Sequence, residues 1–320
     1  MPLDPDLQQL LASFPPAVVE RPDYPSLRAQ AAAMLPLIVG PAGLAEVASM
    51  DEMVLETGGL SVPMRIYRPA TPIAGVVHYI HGGGWSLGDL PTVDHTARRL
   101  CRDLSMVVVT STYRLAPENP FPAAFDDSLA AANWVSSNRE QLAGSDKPAI
   151  IAGDSAGGNL AAAVCVAMRD DPKACSPFDL QLLLYPAVDL RLGQELYASR
   201  VKNADPSLRA EMLEICIEDY AAGADLTDPR ISPLCTASLA DLPPALVVVL
   251  SVDPLRDEAV EYARKLAADG VQMKLVEFDN LTHGFTHMAG IIPAAATATD
   301  QVLAEVVAML ETRSTATVGA

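Results

Sequence analysis

The sequence is poor in positive charge. Its 22 Lys and Arg residues stand against 40 Asp and Glu, giving a formal net charge of -18 and a pI near 4.5. Such a field repels phosphate backbones and anionic lipid, which argues against nucleic acid or an anionic membrane as a partner and favours solubility. Cysteine is scarce as well. Cys101, Cys165, Cys175, Cys216 and Cys235 are odd in number, widely spaced and without a C-x-x-C pair, so neither a disulfide framework nor a zinc site is indicated. No segment reaches the roughly 18 uninterrupted apolar residues of a membrane span. The N-terminal stretch MPLDPDLQQLLASFPP carries acid rather than base and has no continuous apolar core, so it has the form of neither a signal peptide nor an anchor. Internal repeats are absent, and an alanine-rich run after Pro293 is the one biased stretch, read as the start of a terminal helix with a frayed end. The expectation is a soluble cytoplasmic protein with no metal, no cofactor, no nucleic-acid partner and no stable membrane insertion.

What is present is apolar bulk. Half of the 320 residues are hydrophobic, enough for one large core with an inserted or appended subdomain. From Gly75 onward, short runs rich in β-branched residues alternate with longer amphipathic ones. AGVVHYIHG, MVVVTSTYR, AIIAGDS, LQLLLYPAV, ALVVVLSVD and VQMKLVEFD read as strands, several of them apolar on both faces, as in a parallel sheet covered by helices. RDEAVEYARKLAADG reads as a helix. Asp257 and Glu258 favour its N-terminal end, Glu261 and Lys265 are spaced for an i,i+4 pair, and Gly270 suits a left-handed cap. This is α/β alternation.

Two regions interrupt it. Residues 1–45 are helical and punctuated by proline, and residues 190–225 place helix where the next strand is due. A structureless loop of that length is uncommon, so the insertion is expected to form helices. Both segments are expected to pack as a cap over the carboxyl ends of the strands, the core being residues 46–189 and 226–320.

Within AIIAGDSAGGNLAAAV, Ser155 stands in the pattern G-x-S-x-G. A serine displayed on a tight strand-to-helix turn needs small residues two positions to either side, and this is the form of a nucleophile elbow. The string carries little weight by itself. Its context, a strand before and a buried helix after, gives it more, and it puts the Ala156 N–H at a helix N-terminus where negative charge is stabilised. A second glycine cluster, Gly82 to Gly84 in YIHGGGWSLGD, can turn backbone N–H groups into one site. No G-x-x-x-x-G-K-[ST] follows to support a phosphate cradle. His81 is read as bracing that loop.

A nucleophilic serine needs a base, and the base a carboxylate. In the order serine, acid, histidine, His283 and His287 follow Ser155. His283, just beyond VQMKLVEF, leaves the carboxyl edge of the sheet and is preferred, with His287 read as pointing elsewhere. Asp253 is the first carboxylate after ALVVVLSV and is preferred as the acid over Asp257 and Glu258; with Pro254 it also has the form of a helix N-cap.

With HGGGW at His81–Trp85, YRLAPENPFPAAFDD at Tyr113–Asp127, GDSAGG at Gly153–Gly158, DPLRDEA at Asp253–Ala259 and HGF at His283–Phe285, the chain resembles the hormone-sensitive-lipase-like bacterial carboxylesterases, the family IV lipolytic enzymes of the α/β-hydrolase fold. The resemblance implies a mostly parallel central sheet flanked by helices with a helical cap. It also implies Ser155, Asp253 and His283 as the triad and the N–H groups of Gly83, Gly84 and Ala156 as the oxyanion hole. The expected activity is hydrolysis of short- to medium-chain acyl esters through an acyl-enzyme, on a small-molecule ester, with Trp85 and cap side chains shaping the pocket. Relatives dimerise through an edge strand, so a homodimer is a further implication. A deacetylase, lactonase or peptidase on the same fold stays open, since function lives in the pocket. A non-catalytic receptor is disfavoured by the intact triad.

Overall fold

A computed structural model of the protein describes residues 2–13, 20–40, 43–171, 178–202 and 204–317. Cys175 and residues 318–320, expected above as a frayed end, lie outside the described residues. The chain begins with α1 (Pro5–Ala12) and α2 (Tyr24–Val39), followed by β1 (Ser49–Thr57) and β2 (Leu60–Arg68). Strands and helices then alternate through β3 (Val76–Ile80), α3 (Asp94–Leu104), β4 (Val107–Ser111), α4 (Ala123–Ser137), α5 (Arg139–Ala143), β5 (Ala149–Asp154), α6 (Ala156–Asp170) and β6 (Leu180–Leu184). After α7 (Ala198–Lys202) and α8 (Ala210–Ala221) come β7 (Ala245–Leu250), α9 (Arg256–Ala268), β8 (Met273–Phe278) and α10 (Pro293–Thr317).

The strands form one eight-stranded sheet in the order β1-β2-β4-β3-β5-β6-β7-β8, parallel from β4 through β8. Each of the strand stretches read from the sequence contains one of these strands. Strands β3 to β7 are buried along their whole length because successive side chains enter different layers. Val76, Ile80, Val107, Val109 and Ile151 join a core cluster with α4, α6 and α9. Val77, Tyr79, Val108, Ile150 and Ala152 join another with α3 and α10. The hairpin β1–β2 was not read from the sequence. It closes over Gly58 and Gly59, both left-handed at φ 55° and 83°, which suits the turn to strand twist. It joins the sheet by antiparallel pairing of β2 with β4.

The N-terminal segment divides between two places. Leu7 of α1 is fully buried in the core cluster of β3, α3 and α10, and the Asp4 N–H donates to Asn280 O at 2.9 Å. The expectation that residues 1–45 all belong to the cap is therefore corrected for α1: its apolar side chains find their burial on the core. By contrast, α2 faces α8 of the insertion. The Tyr24 hydroxyl donates to Asp219 at 2.5 Å and Arg21 pairs with Glu218 at 2.9 Å. Arg28 ties α2 to the core beneath, donating to Ser86 O (2.8 Å), Ala116 O (2.9 Å) and Glu118. Among the described residues no helix is long and apolar enough to cross a membrane.

Residues 190–225 hold α7, α8 and a short 3-10 turn, Gln194–Leu196. Their anchor is a buried ion pair between Arg200 and Glu258, 2 % and 0 % exposed and 2.5 Å apart. Glu258 also accepts the N–H groups of Val188 (2.9 Å) and Asp189 (3.2 Å). It is thus a tie between the insertion and α9, beyond the helix-terminal charge read from the sequence. Lys265 likewise donates to Leu234 O at 3.0 Å, where the sequence suggested a pair with Glu261. Gly270 is left-handed at φ 83° and closes α9 as expected. Because a buried carboxylate without its cation is strongly unfavourable, Arg200→Met should destabilise the protein by about 3 kcal/mol or more. Equilibrium urea unfolding measures this, and an unchanged midpoint would contradict the anchoring role.

Candidate active site

Strand β5 passes directly into Ser155, whose φ of 54° and ψ of -120° lie where non-glycine residues are rare, and α6 starts at the next residue. The two glycines explain how so sharp a turn is packed. A Cβ on Gly153 would run into the Gly157 carbonyl, and one on Gly157 into the carbonyl oxygens of Ile80 and His81 at the end of β3. The elbow is held from the other side as well, the Ser155 N–H donating to Leu184 O at 2.9 Å. The hydroxyl is thereby lifted off the sheet edge.

His283, in the loop after β8, meets it. Its Nε2 lies 2.8 Å from Ser155 Oγ and its Nδ1 2.7 Å from Asp253 Oδ2. Nδ1–H must donate to the carboxylate, an acceptor only, which leaves Nε2 to accept the serine proton. Asp253 is 1 % exposed, and its second oxygen accepts the Leu255 N–H at 2.8 Å. That bond closes a turn before α9, whose N-cap is Leu255, so the helix-cap role read for Asp253 is replaced by this local turn. Burial disfavours a charged His283 ring, but the charge and hydrogen bond of Asp253, with Asp205 and Asp154 beyond it, more than offset this and raise its pKa above 6.5.

The glycine loop runs beside the elbow. Gly83 and Gly84 are left-handed, at φ 110° and 58°. Among the described residues the N–H groups of Gly83, Gly84 and Ala156 donate to no protein group. The Gly82 N–H is spent on Asp154 at 2.9 Å. His81 braces the loop, its Nδ1 donating to Gly82 O at 2.8 Å and its ring stacking on Tyr113 at 4.3 Å.

Asp154 and His287 were missed as a pair. Asp154, the second residue of the elbow motif, is buried and accepts the Tyr79 hydroxyl at 2.6 Å. Although burial works against its charge, His287 at 3.0 Å, Tyr79 and Gly82 hold its carboxyl down at about 2. His287 meets this carboxylate, the neighbour of Ser155, and lines the same cavity. The available signal was a carboxylate ending an otherwise apolar strand.

Above Ser155 lies a cavity of about 520 Å³. Its walls include Leu27, Ala31 and Met34 from α2 and Met212, Leu213 and Cys216 from α8. Trp85 contributes to the lining but is 1 % exposed. Its ring stacks on Tyr220 at 4.7 Å, and its Nε1 donates to Asn159 at 3.3 Å. It backs the wall more than it faces the space.

Residues 77–287 match the model of a family described as having the alpha/beta hydrolase fold. Carboxylesterase NlhH of Mycobacterium tuberculosis is 37 % identical over 313 residues, covering 94 % of both chains. An ethyl acetate hydrolase of Pseudomonas putida is 35 % identical over 245 residues, covering 74 % of this chain and 75 % of that one. The structure of a hyperthermophilic esterase from the archaeon Pyrobaculum calidifontis superposes with a TM-score of 0.87 at 35 % identity, covering 97 % of this chain and 99 % of that one.

The geometry sets the pH dependence of Ser155 reactivity. Only neutral imidazole accepts the hydroxyl proton, and the His283 pKa is raised, so labelling of Ser155 by an organophosphonate should rise with pH through a midpoint above 6.5. A midpoint at or below that value would contradict the Asp253 contact. Asp253→Asn should slow labelling by about 10⁴-fold, because the amide favours the wrong tautomer.

Proposed function

The chain belongs to the α/β-hydrolase family, in its hormone-sensitive-lipase-like group, and on that premise we propose that Ser155, His283 and Asp253 are the machinery of its ester hydrolysis. The protein is a serine carboxylesterase acting on small-molecule esters. The observation that carries the residue assignment is the 2.8 Å contact from Ser155 Oγ to His283 Nε2 on a strained elbow, beside three amides unpaired among the described residues.

In this reading Ser155 Oγ attacks the ester carbonyl carbon while His283 Nε2 takes its proton, and Asp253 stabilises the imidazolium. The carbonyl oxygen becomes an oxyanion within reach of the Gly83, Gly84 and Ala156 N–H groups, and the Ala156 donor gains from the N-terminal dipole of α6. Collapse of the intermediate expels the alcohol, which receives the proton from His283. Water, deprotonated by the same ring, then attacks the acyl-enzyme and releases the acid. No step needs a metal or cofactor.

The apolar walls from α2 and α8 and the cavity of about 520 Å³ favour short- to medium-chain acyl groups. In this reading the cap is α2 together with residues 190–225, and the core is residues 46–189 and 226–320. A cytoplasmic location is supported by free cysteines at Cys101, Cys165, Cys216 and Cys235. A homodimer through β8 is supported by that strand's place at the sheet edge, with Leu275 exposed; sedimentation that returned only monomer would exclude it.

Ser155→Ala should reduce hydrolysis of p-nitrophenyl butyrate by at least about 10⁴-fold with an unchanged circular dichroism spectrum. Retained turnover would remove Ser155 from the mechanism. Across p-nitrophenyl esters of rising acyl length, kcat/KM should peak at short to medium chains and exceed that for a matched anilide; a peak at long chains, or a preference for the anilide, would overturn the substrate reading.

A further inference from the structure

We propose that Asp205, in the loop between α7 and α8, is a positioning residue for His283: it seats the loop that carries the base and places a second negative charge behind the ring. This rests on the reading of His283 as the base.

Asp205 is 2 % exposed, and a buried carboxylate persists only where donors replace its water. Here they come from both sides of the join between insertion and core. Its Oδ2 accepts the His283 backbone N–H at 2.7 Å. Its Oδ1 accepts the Thr282 hydroxyl, the Ser207 N–H at 2.8 Å and the Ser207 hydroxyl at 2.7 Å. The single proton of that hydroxyl is also within reach of His283 O, at 3.1 Å. Asp205 and Ser207 therefore lie against both backbone polar groups of the base, across nearly eighty residues of sequence. His283 lies beyond the end of β8, outside the strand ladder, so these bonds fix its backbone where the sheet does not.

The placement is also electrostatic. The groups facing the His283 ring are Asp253 after β7, Asp205 from the insertion, Asp154 at the end of β5, Ser155, and the edge of the Tyr185 ring at 4.8 Å. Asp154 is already engaged by His287, Tyr79 and Gly82. Among the described residues Asp205 is engaged by neutral donors, and a carboxylate placed there favours the imidazolium that forms during acyl transfer. Seating of the cap and basicity of His283 thus share one side chain.

The test is the pH profile of kcat/KM for p-nitrophenyl butyrate in the full chain, comparing wild type with Asp205→Asn and Ser207→Ala. Asp205→Asn keeps the size and one acceptor oxygen but removes the charge. Its kcat should fall about tenfold with little change in KM, as expected for a misplaced catalytic group, and its acid-limb midpoint should move to lower pH. Ser207→Ala loses a hydrogen bond but no charge, so it should leave the midpoint in place. An Asp205→Asn profile with the wild-type midpoint, or one displaced upward, would overturn the proposal, since a merely structural staple would lower yield without moving the titration. Where Asp205→Asn folds poorly, phosphonate labelling of Ser155 in the soluble fraction, read by mass spectrometry across the same pH series, reports the midpoint from folded molecules alone. A wild-type protein without esterase activity would instead remove the reading of the site itself.

Discussion

The active end of this molecule depends on one close approach. Gly157, the second residue of α6, sits against the carbonyl oxygens that end β3, so near that a single added carbon would collide with them. This contact brings α6 down onto the sheet, which in turn forces the chain through a left-handed residue at Ser155. The glycine loop leaves β3 at the same point, so its amides come beside the one at the start of α6. Ser155 after one strand and the glycine loop after its neighbour are therefore registered by backbone packing, with the Asp154 and His81 side chains holding the loop in addition. Backbone has fewer soft degrees of freedom than side chains, and preorganised donors are effective because they need not reorganise as charge develops.

Around this frame two internal carboxylates take donors from more than one element. Asp154 joins the ends of β3 and β5 to the turn after β8 through Tyr79, Gly82 and His287. Glu258 joins α9 to α7 and to the segment after β6 through Arg200 and two backbone N–H groups. Removing charge from water is unfavourable unless every partner is in place, so such groups act as geometric checks on assembly. They cluster where the strands end, which is where loops of otherwise free conformation need fixing.

The sequence disclosed the parts of this structure that follow from local pattern. Strands β3 to β7 were legible because both of their faces are covered, which leaves continuous apolar runs, and Ser155 was legible because its turn admits only small neighbours. The hairpin β1–β2 was not: β1 is largely exposed, and β2, although it alternates with Val62, Met64 and Ile66 inward, carries Pro63 within the run, which argues against a strand. Helix α1 was assigned to the cap because an amphipathic stripe says that a face is buried and nothing about which surface buries it. The same holds for side chains that act across long separations. Asp205, in the run KNADPSLRAEM, has no periodicity or spacing that links it to His283. Glu258 reads as a helix-start acid until Arg200 is seen against it. Local chemistry names the reacting atoms, while their supports come from chain crossings that leave no local trace.

The N-terminal helix α2 has a consequence of its own. It closes one side of the cavity with Leu27, Ala31 and Met34, while Arg28, its tie to the core, bonds the backbone oxygens of Ser86 and Ala116 and the side chain of Glu118. The face toward the substrate and the face that grips the core use different residues. The mould and the press are thus separate components of one chain. Drift along the inner face of α2 can reshape which acids and alcohols fit, while leaving undisturbed the clasp that holds the wall over Ser155.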